Sequence, residues 1–195
     1  MNAGEMRARI LDAAEALLRQ HGPDKLTVID VASALNMSHG NVYRHFSSKA
    51  ALRAAVVKTW LDRVAEETGS IADKDAPADI RLEDWLKGLA KIKQRKVTED
   101  AAILAASARI GKEAPQLERE HSKRLISQVE RILQDGLEEG TLPGAHDPTS
   151  AARAILNATF RYHHPDLVAN GGPPDQQTAE LNDVVTLMIK GLKRS

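Results

Sequence analysis

The 195-residue chain contains no cysteine. That absence removes disulfides, thiolate metal ligands and thiol redox sensing together. It has no run near the roughly 20 consecutive apolar residues that a membrane span requires. Its first residues, MNAGEMRAR, hold no apolar segment of the signal-peptide kind. The expectation is a soluble, cytoplasmic protein with no membrane partner. The short patterns that announce catalysis are also missing: there is no Gly-rich phosphate loop, no HExxH, no GxSxG and no thiol nucleophile. Scattered His and Asp residues form no constellation, so the expectation is no enzyme, no cofactor and no metal. No alternating strand pattern and no internal repeat breaks the succession of helical patterns, which predicts an all-α fold. The length suits one large domain or two small ones, with 42% hydrophobic residues to build a core.

Net charge is absent too, at +0, but its distribution is uneven. Residues 1 to 61 hold eight Lys/Arg against five Asp/Glu, a net +3, which leaves −3 for the remainder. Between Asp30 and Asp62 no acidic residue occurs, while Arg44, Lys49, Arg53 and Lys58 are basic. A basic head on an acidic body suits a protein that docks a polyanion at one end.

The acid-free span contains the stretch around which the chain is organised, TVIDVASALNMSHGNVYRHFSSK, from Thr27 to Lys49. Thr27 is a good N-cap, with Asp30 placed to complete a capping box. Val28, Val31, Ala32 and Leu35 recur at helical spacing and give one apolar face. Asn36 tolerates the left-handed conformation that ends a helix, and Ser38 suits the N-cap of the next. The gap of about three residues is what a helix-turn-helix requires. On the second helix, 38 to 46, Val42 and Phe46 face inward, which leaves His39, Gly40, Asn41, Tyr43, Arg44 and His45 for the other faces. Asn pairs bidentately with adenine, Arg pairs with guanine, and Gly admits a close backbone. Tyr, His and Lys49 suit phosphates. The bland alternative is a solvent-exposed helical hairpin with a polar face.

This segment resembles the DNA-binding domain of the TetR, or tetracycline-repressor-like, family of bacterial transcription regulators. The family's pattern falls on Thr27, Val31 with Ala32, Ser38, Gly40, Val42, Tyr43, His45, Phe46 and Lys49. Two positions depart from it: Asn36 replaces a turn glycine and Ala50 replaces a common Glu. The resemblance implies about nine helices, with a three-helix DNA-binding domain over 1–48 and a helical regulatory and dimerisation domain over 49–195. Together with the chemistry of the second helix, it puts the DNA contacts at Thr27, Ser38, His39, Gly40, Asn41, Tyr43, Arg44, His45 and Lys49. It implies a homodimer that presents two such helices to successive major grooves of a double-stranded, palindromic operator, about 34–36 Å apart. Repression relieved by an unidentified small-molecule effector is the family's usual mode. The alternatives are an activator without small-molecule control and a helical protein-interaction module.

The first helix, about Glu5 to Gln20, places Ile10, Ala13, Ala14, Leu17 and Leu18 on one stripe, and Gly22-Pro23 stops it. Arg7 and Arg9 at its start read as solvated, with phosphate contact the alternative. After Ser47 and Ser48, a long helix runs to about Gly69, with Ala51, Leu52, Ala55, Val56, Trp60 and Val64 on one face. Residues 72 to 80 read as a loop around Pro77. Further helices are expected near 81–95, 98–110, 115–139, 148–163 and 175–193, and LEEGTLPGAHDPTSAA resembles a late interhelical junction in the family.

Leu181, Val184, Val185, Met188, Ile189 and Leu192 form a stripe on the last helix. Ile155 and Ala158, with Ala151 and Ala154, supply small partners on the preceding one. The stripe reads either as own-chain core or, by resemblance, as a dimer seam. Candidate effector lining comprises Trp60, Trp85, Leu89, Ile103, Ile126, Val129, Phe160, Tyr162 and His163, each with ordinary core as its alternative. The run FRYHHP, Phe160 to Pro165, puts two histidines at a helix end, since Pro165 breaks the helix. Capping or dimer-surface packing explains it most simply, ahead of a ligand-pocket patch or a metal site with His121 or His146. Lys87, Lys91, Lys93, Arg95 and Lys96 read as a solvated face.

Overall fold

The computed structural model describes residues 2–22, 26–99, 101–103, 106 and 114–194, without the side chains of Lys96 and Thr98. The described residues form helices and no strand, as the all-α reading requires. Most of the helix expected at 98–110 lies outside them, as does Pro23. The chain divides into two compact units, one of residues 1–61 with 99–118 and the other of 62–98 with 119–195.

In the first unit, α1 spans Ala3–His21, and Asn2 caps it. Asn2 Oδ1 accepts the Glu5 N–H at 2.8 Å, and the Glu5 carboxylate accepts the Asn2 N–H at 3.0 Å. This reciprocal box starts the helix two residues earlier than its apolar stripe suggested. Gly22 ends it at φ 78°, a conformation that favours glycine. Ile10, Leu11, Ala14 and Leu18 are buried, and Ala13 and Leu17 half-buried. α2 is Val28–Ala34 and α3 is His39–His45. Val28, Val31 and Ala32 close on Val42 and Phe46 in a core with Leu26. α4, Lys49–Ala72, begins at Ser48, whose hydroxyl accepts the Ala51 N–H at 3.0 Å.

In the second unit, α5 spans Ala78–Glu99, three residues earlier than expected. The cause lies far along the chain: the Glu139 carboxylate accepts the Ala78 N–H at 2.8 Å. α6 is Pro115–Glu139, α7 Pro148–Ala158, α8 Pro165–Ala169 and α9 Pro174–Leu192, with a 3-10 turn at Phe160–Tyr162. Gly140 turns the chain at φ 71°, and Leu142 returns its N–H to the Gly136 carbonyl at 2.9 Å. The helix expected to reach 163 stops at Ala158, where the Thr159 hydroxyl bonds back to the Ile155 carbonyl at 2.9 Å. Pro165 does not end a helix but opens the unexpected α8, a position where its missing N–H costs nothing.

A polar spine ties α4, α5 and α6 within this unit. Arg81 donates to Asp135 at 2.8 Å, to Glu139 at 3.0 Å, and to the carbonyls of Ala72 at 3.1 Å and Ala76 at 2.8 Å. Further along, Gln128 Oε1 accepts from Trp85 Nε1 at 2.9 Å and from the Thr68 hydroxyl at 2.8 Å. Its amide donates to the Ala65 carbonyl at 2.7 Å. Around the spine Trp85, Leu82, Leu89, Val129, Ile132 and Leu133 are fully buried. One expectation fails here: Lys93 is 4% exposed and so not part of a solvated face. Lys91 and Arg95, two residues to either side, are exposed.

Candidate nucleic-acid interface

The turn between α2 and α3 is set by three local devices. The Thr27 hydroxyl accepts the Asp30 N–H at 3.1 Å. The Asp30 carboxylate in turn accepts a hydrogen bond from the Thr27 hydroxyl rather than from its backbone N–H, a variation on the expected box. Asn36 adopts φ 52°, the left-handed turn that its side chain tolerates, and Met37 returns its N–H to the Ala32 carbonyl at 2.9 Å. The Ser38 hydroxyl accepts the Asn41 N–H at 3.3 Å and opens α3.

α3 is only two turns long, and its orientation is fixed by what it buries. Val42 is 0% exposed and Phe46 4%, while the Arg7 guanidinium lies 4.9 Å above the Phe46 ring centroid. That cation–π contact gives Arg7 a structural partner. With those two side chains inward, Ser38, His39, Gly40, Tyr43 and Arg44 are exposed, and Asn41, His45 and Lys49 half-buried. The Asn41 amide reaches Met37 Sδ at 3.9 Å. Thr27 is half-buried with its hydroxyl engaged in capping. The surface therefore offers backbone, amide, phenol, imidazole and guanidinium groups from one short helix. Ile29, 66% exposed on α2, is an addition that the sequence reading missed, and its place off the phase of Val28, Val31 and Ala32 was the available signal.

The other two residue sets fare differently. Of the effector lining, Trp60 and Ile103 belong to the first unit, and Trp85, Leu89, Ile126, Val129, Phe160, Tyr162 and His163 to the second. Phe160 is 46% exposed and lines no interior; it packs edge-on to His163 at 5.7 Å and against His164 at 4.7 Å. Tyr162 is buried, and His163 Nε2 lies 3.1 Å from the Leu156 carbonyl. The apolar stripe on α9 splits. Leu181, Val185 and Ile189 are buried in their own unit and so form no broad seam for a second chain, while Ile155 on α7, also buried, borders the groove that remains. What remains is an apolar groove of about 370 Å³ lined by Ala151, Ala154, Ile155, Ala158, Met188, Gly191 and Leu192. Val184 is half-buried, and Leu187 on the same helix is 74% exposed.

Fold and surface together define a helix-turn-helix head joined in sequence to an all-helical body. Residues 10–56 match the family described as bacterial regulatory proteins, tetR family. Residues 78–185 match the tetracyclin repressor-like C-terminal domain. The chain belongs to the TetR family. Among its relatives, the HTH-type transcriptional repressor Rv3405c of Mycobacterium tuberculosis is 37% identical over 76 residues, 39% of this chain and 38% of that protein. The match thus spans under half of the relative's length. SmeT, the repressor of the Stenotrophomonas maltophilia multidrug efflux pump SmeDEF, shares the fold at TM-score 0.67 and 20% identity, covering 93% of this chain and 88% of SmeT. SmeT also has a solved complex with triclosan. A TetR/AcrR-family regulator of Thermobifida fusca has TM-score 0.70 and 23% identity, over 97% of this chain and all (100%) of that one.

Proposed function

We propose that this protein is a transcriptional repressor that binds a palindromic DNA operator as a homodimer and is released by a small-molecule effector held in the helical body. The observation that carries the reading is the outward face of α3, where Ser38, His39, Gly40, Tyr43 and Arg44 are exposed while Val42 and Phe46 lock the helix onto α1 and α2. In this reading Asn41 and Arg44 read base edges. Tyr43, His45, His39, Ser38, Thr27 and Lys49 hold the backbone, and Gly40 lets the helix come close. The head is residues 1–48 and the regulatory body 49–195. The second copy occupies the groove between α7 and α9, because small residues on α7 admit a close helix and Met188 and Leu192 offer half-buried apolar area. SmeT, a repressor of the same fold solved with triclosan, supports control by a small ligand.

The test is selection of bound sites from a random duplex library at a stated salt concentration. A palindrome is expected. Tyr43→Ala and Lys49→Ala should weaken binding to all sequences alike and lower the salt slope by about one each. Met188→Glu should give monomers by light scattering and lose the palindrome; Val185, buried in its own unit, is unsuited to that test. Unchanged salt dependence in both head variants would remove the phosphate role, and a dimeric Met188→Glu protein with normal binding would remove the seam.

A further inference from the structure

With no cysteine, the four methionines hold all the sulfur in the chain. One of them, Met37, lies in the tight turn between Asn36, at φ 52°, and Ser38, the cap of α3. Its backbone is pinned, since its N–H returns to the Ala32 carbonyl at 2.9 Å. Its side chain is half-buried, and Asn36 and Ser38 on either side are exposed, so the turn lies open to small solutes. One helical turn on, the Asn41 amide donates to Met37 Sδ at 3.9 Å. A sulfur atom thus holds one of the side chains assigned above to base reading.

The strength of that bond decides its consequence. A thioether is a weak acceptor, so Asn41 leaves it at little cost to pair bidentately with adenine. Oxidation to the sulfoxide makes the side chain polar and gives it an oxygen that accepts hydrogen bonds well. With Nδ2 already 3.9 Å from the sulfur, an oxygen carried on Sδ comes within normal hydrogen-bond reach of it, about 2.9 Å. That bond occupies the N–H that adenine needs.

We infer that Met37 is an oxidation switch for base reading: a peroxide converts its thioether to the sulfoxide, which captures the Asn41 amide and withdraws it from DNA. The sulfur lone pair attacks one peroxide oxygen, an S–O bond forms and the O–O bond breaks. The other oxygen leaves with both hydrogens as water, so sulfur loses two electrons and the peroxide gains them. Methionine sulfoxide reductases restore the thioether, which makes the switch reversible. The inference rests on the reading in which Asn41 pairs with a base.

The experiment treats the full-length protein with hydrogen peroxide, locates the sulfoxides by peptide mass spectrometry, and compares affinities for the selected duplex and for single-base variants of it. Untreated protein should prefer adenine about tenfold at one position of each half-site, as a bidentate contact provides, and Asn41→Ala should identify that position by losing the preference. Oxidation of Met37 should erase the same preference, and reductase treatment should restore it. Met37→Leu, of similar volume, should keep the preference before and after peroxide. In the free protein, with no DNA present, oxidation should shift the Asn41 side-chain amide resonances. A Met37 that resists peroxide, a preference that persists with Met37 oxidised, a preference lost on oxidation of Met37→Leu, or unmoved Asn41 resonances would each overturn the switch alone. Asn41→Ala that keeps every preference removes the base-reading role of Asn41 and the switch with it. Untreated protein that selects no DNA removes the regulator reading as a whole.

Discussion

The head and the body start their helices by different means. In the head, Asn2 caps through Glu5, Thr27 through Asp30, Ser38 through Asn41 and Ser48 through Ala51, each pair three residues apart. In the body, Glu139 caps Ala78 across 61 residues, Arg81 reaches Asp135 across 54, and Gln128 reaches Ala65 across 63. Asp147, which accepts the Ser150 N–H at 3.0 Å, repeats the local device there, but the spine does not. A surface that must meet DNA has its polar groups pointing out, and short-range pairs suffice to hold its backbone. A body that buries Arg81 and Gln177 must find partners wherever the chain brings them.

The comparison can be broken most forcefully with acid. Burial holds His121 at about 3 and His163 at about 4, both below the 6.5 of an unfolded histidine. Between those values the unfolded chain binds the extra protons. The stability they confer is therefore complete above about pH 6.5 and is lost as pH falls toward 4. At about 1.4 kcal/mol per pH unit for each group, moving from pH 7 to pH 5 should cost about 4 kcal/mol at most. Urea unfolding at the two pH values measures it, and His121→Leu should remove about half of the loss. A flat profile would mean that neither ring is held neutral by burial.

Next in size is the spine against the caps. Arg81→Met strips the partner from two carboxylates and two carbonyls at once. The guanidinium is 8% exposed, but Asp135 and Glu139 keep 36% and 37% of their surface, so water softens the loss. About 3 kcal/mol is expected, against about 1 kcal/mol for Thr27→Ala in the head. Denaturant midpoints with unchanged slopes would show both as stability effects. Equal losses would erase the distinction between the two regions.

The same distinction explains what could be read without coordinates. The helix-turn-helix was legible because its rules act within three or four residues: Asn36 at φ 52°, Ser38 as N-cap and Val42 with Phe46 inward were all inferred from spacing. The start of α5 was not legible, because the group that caps it, Glu139, lies on another helix. Lys93 was misread because helical phase gives a face but not what covers it. The stripe of Leu181, Val185 and Ile189 was read correctly as apolar, yet periodicity could not divide interior from groove, which depends on how α7 lies against α9.

The smallest effect is at Gly40, where stability and binding should move in opposite directions. A Cβ there meets nothing nearer than Ser38 Oγ at 3.9 Å, and the backbone is ordinary helix. Gly40→Ala should therefore stabilise the free head by about 0.5 kcal/mol, since alanine loses less backbone entropy in a helix. If α3 enters the major groove with its backbone close to the duplex, the added methyl occupies space that DNA needs, and affinity should fall several-fold although the fold has become more stable. A methyl that raises the melting temperature and leaves operator affinity unchanged would show that α3 stands off the DNA at this point. The contacts would then come from the longer reach of Tyr43 and Arg44, with Gly40 present only to shape the turn.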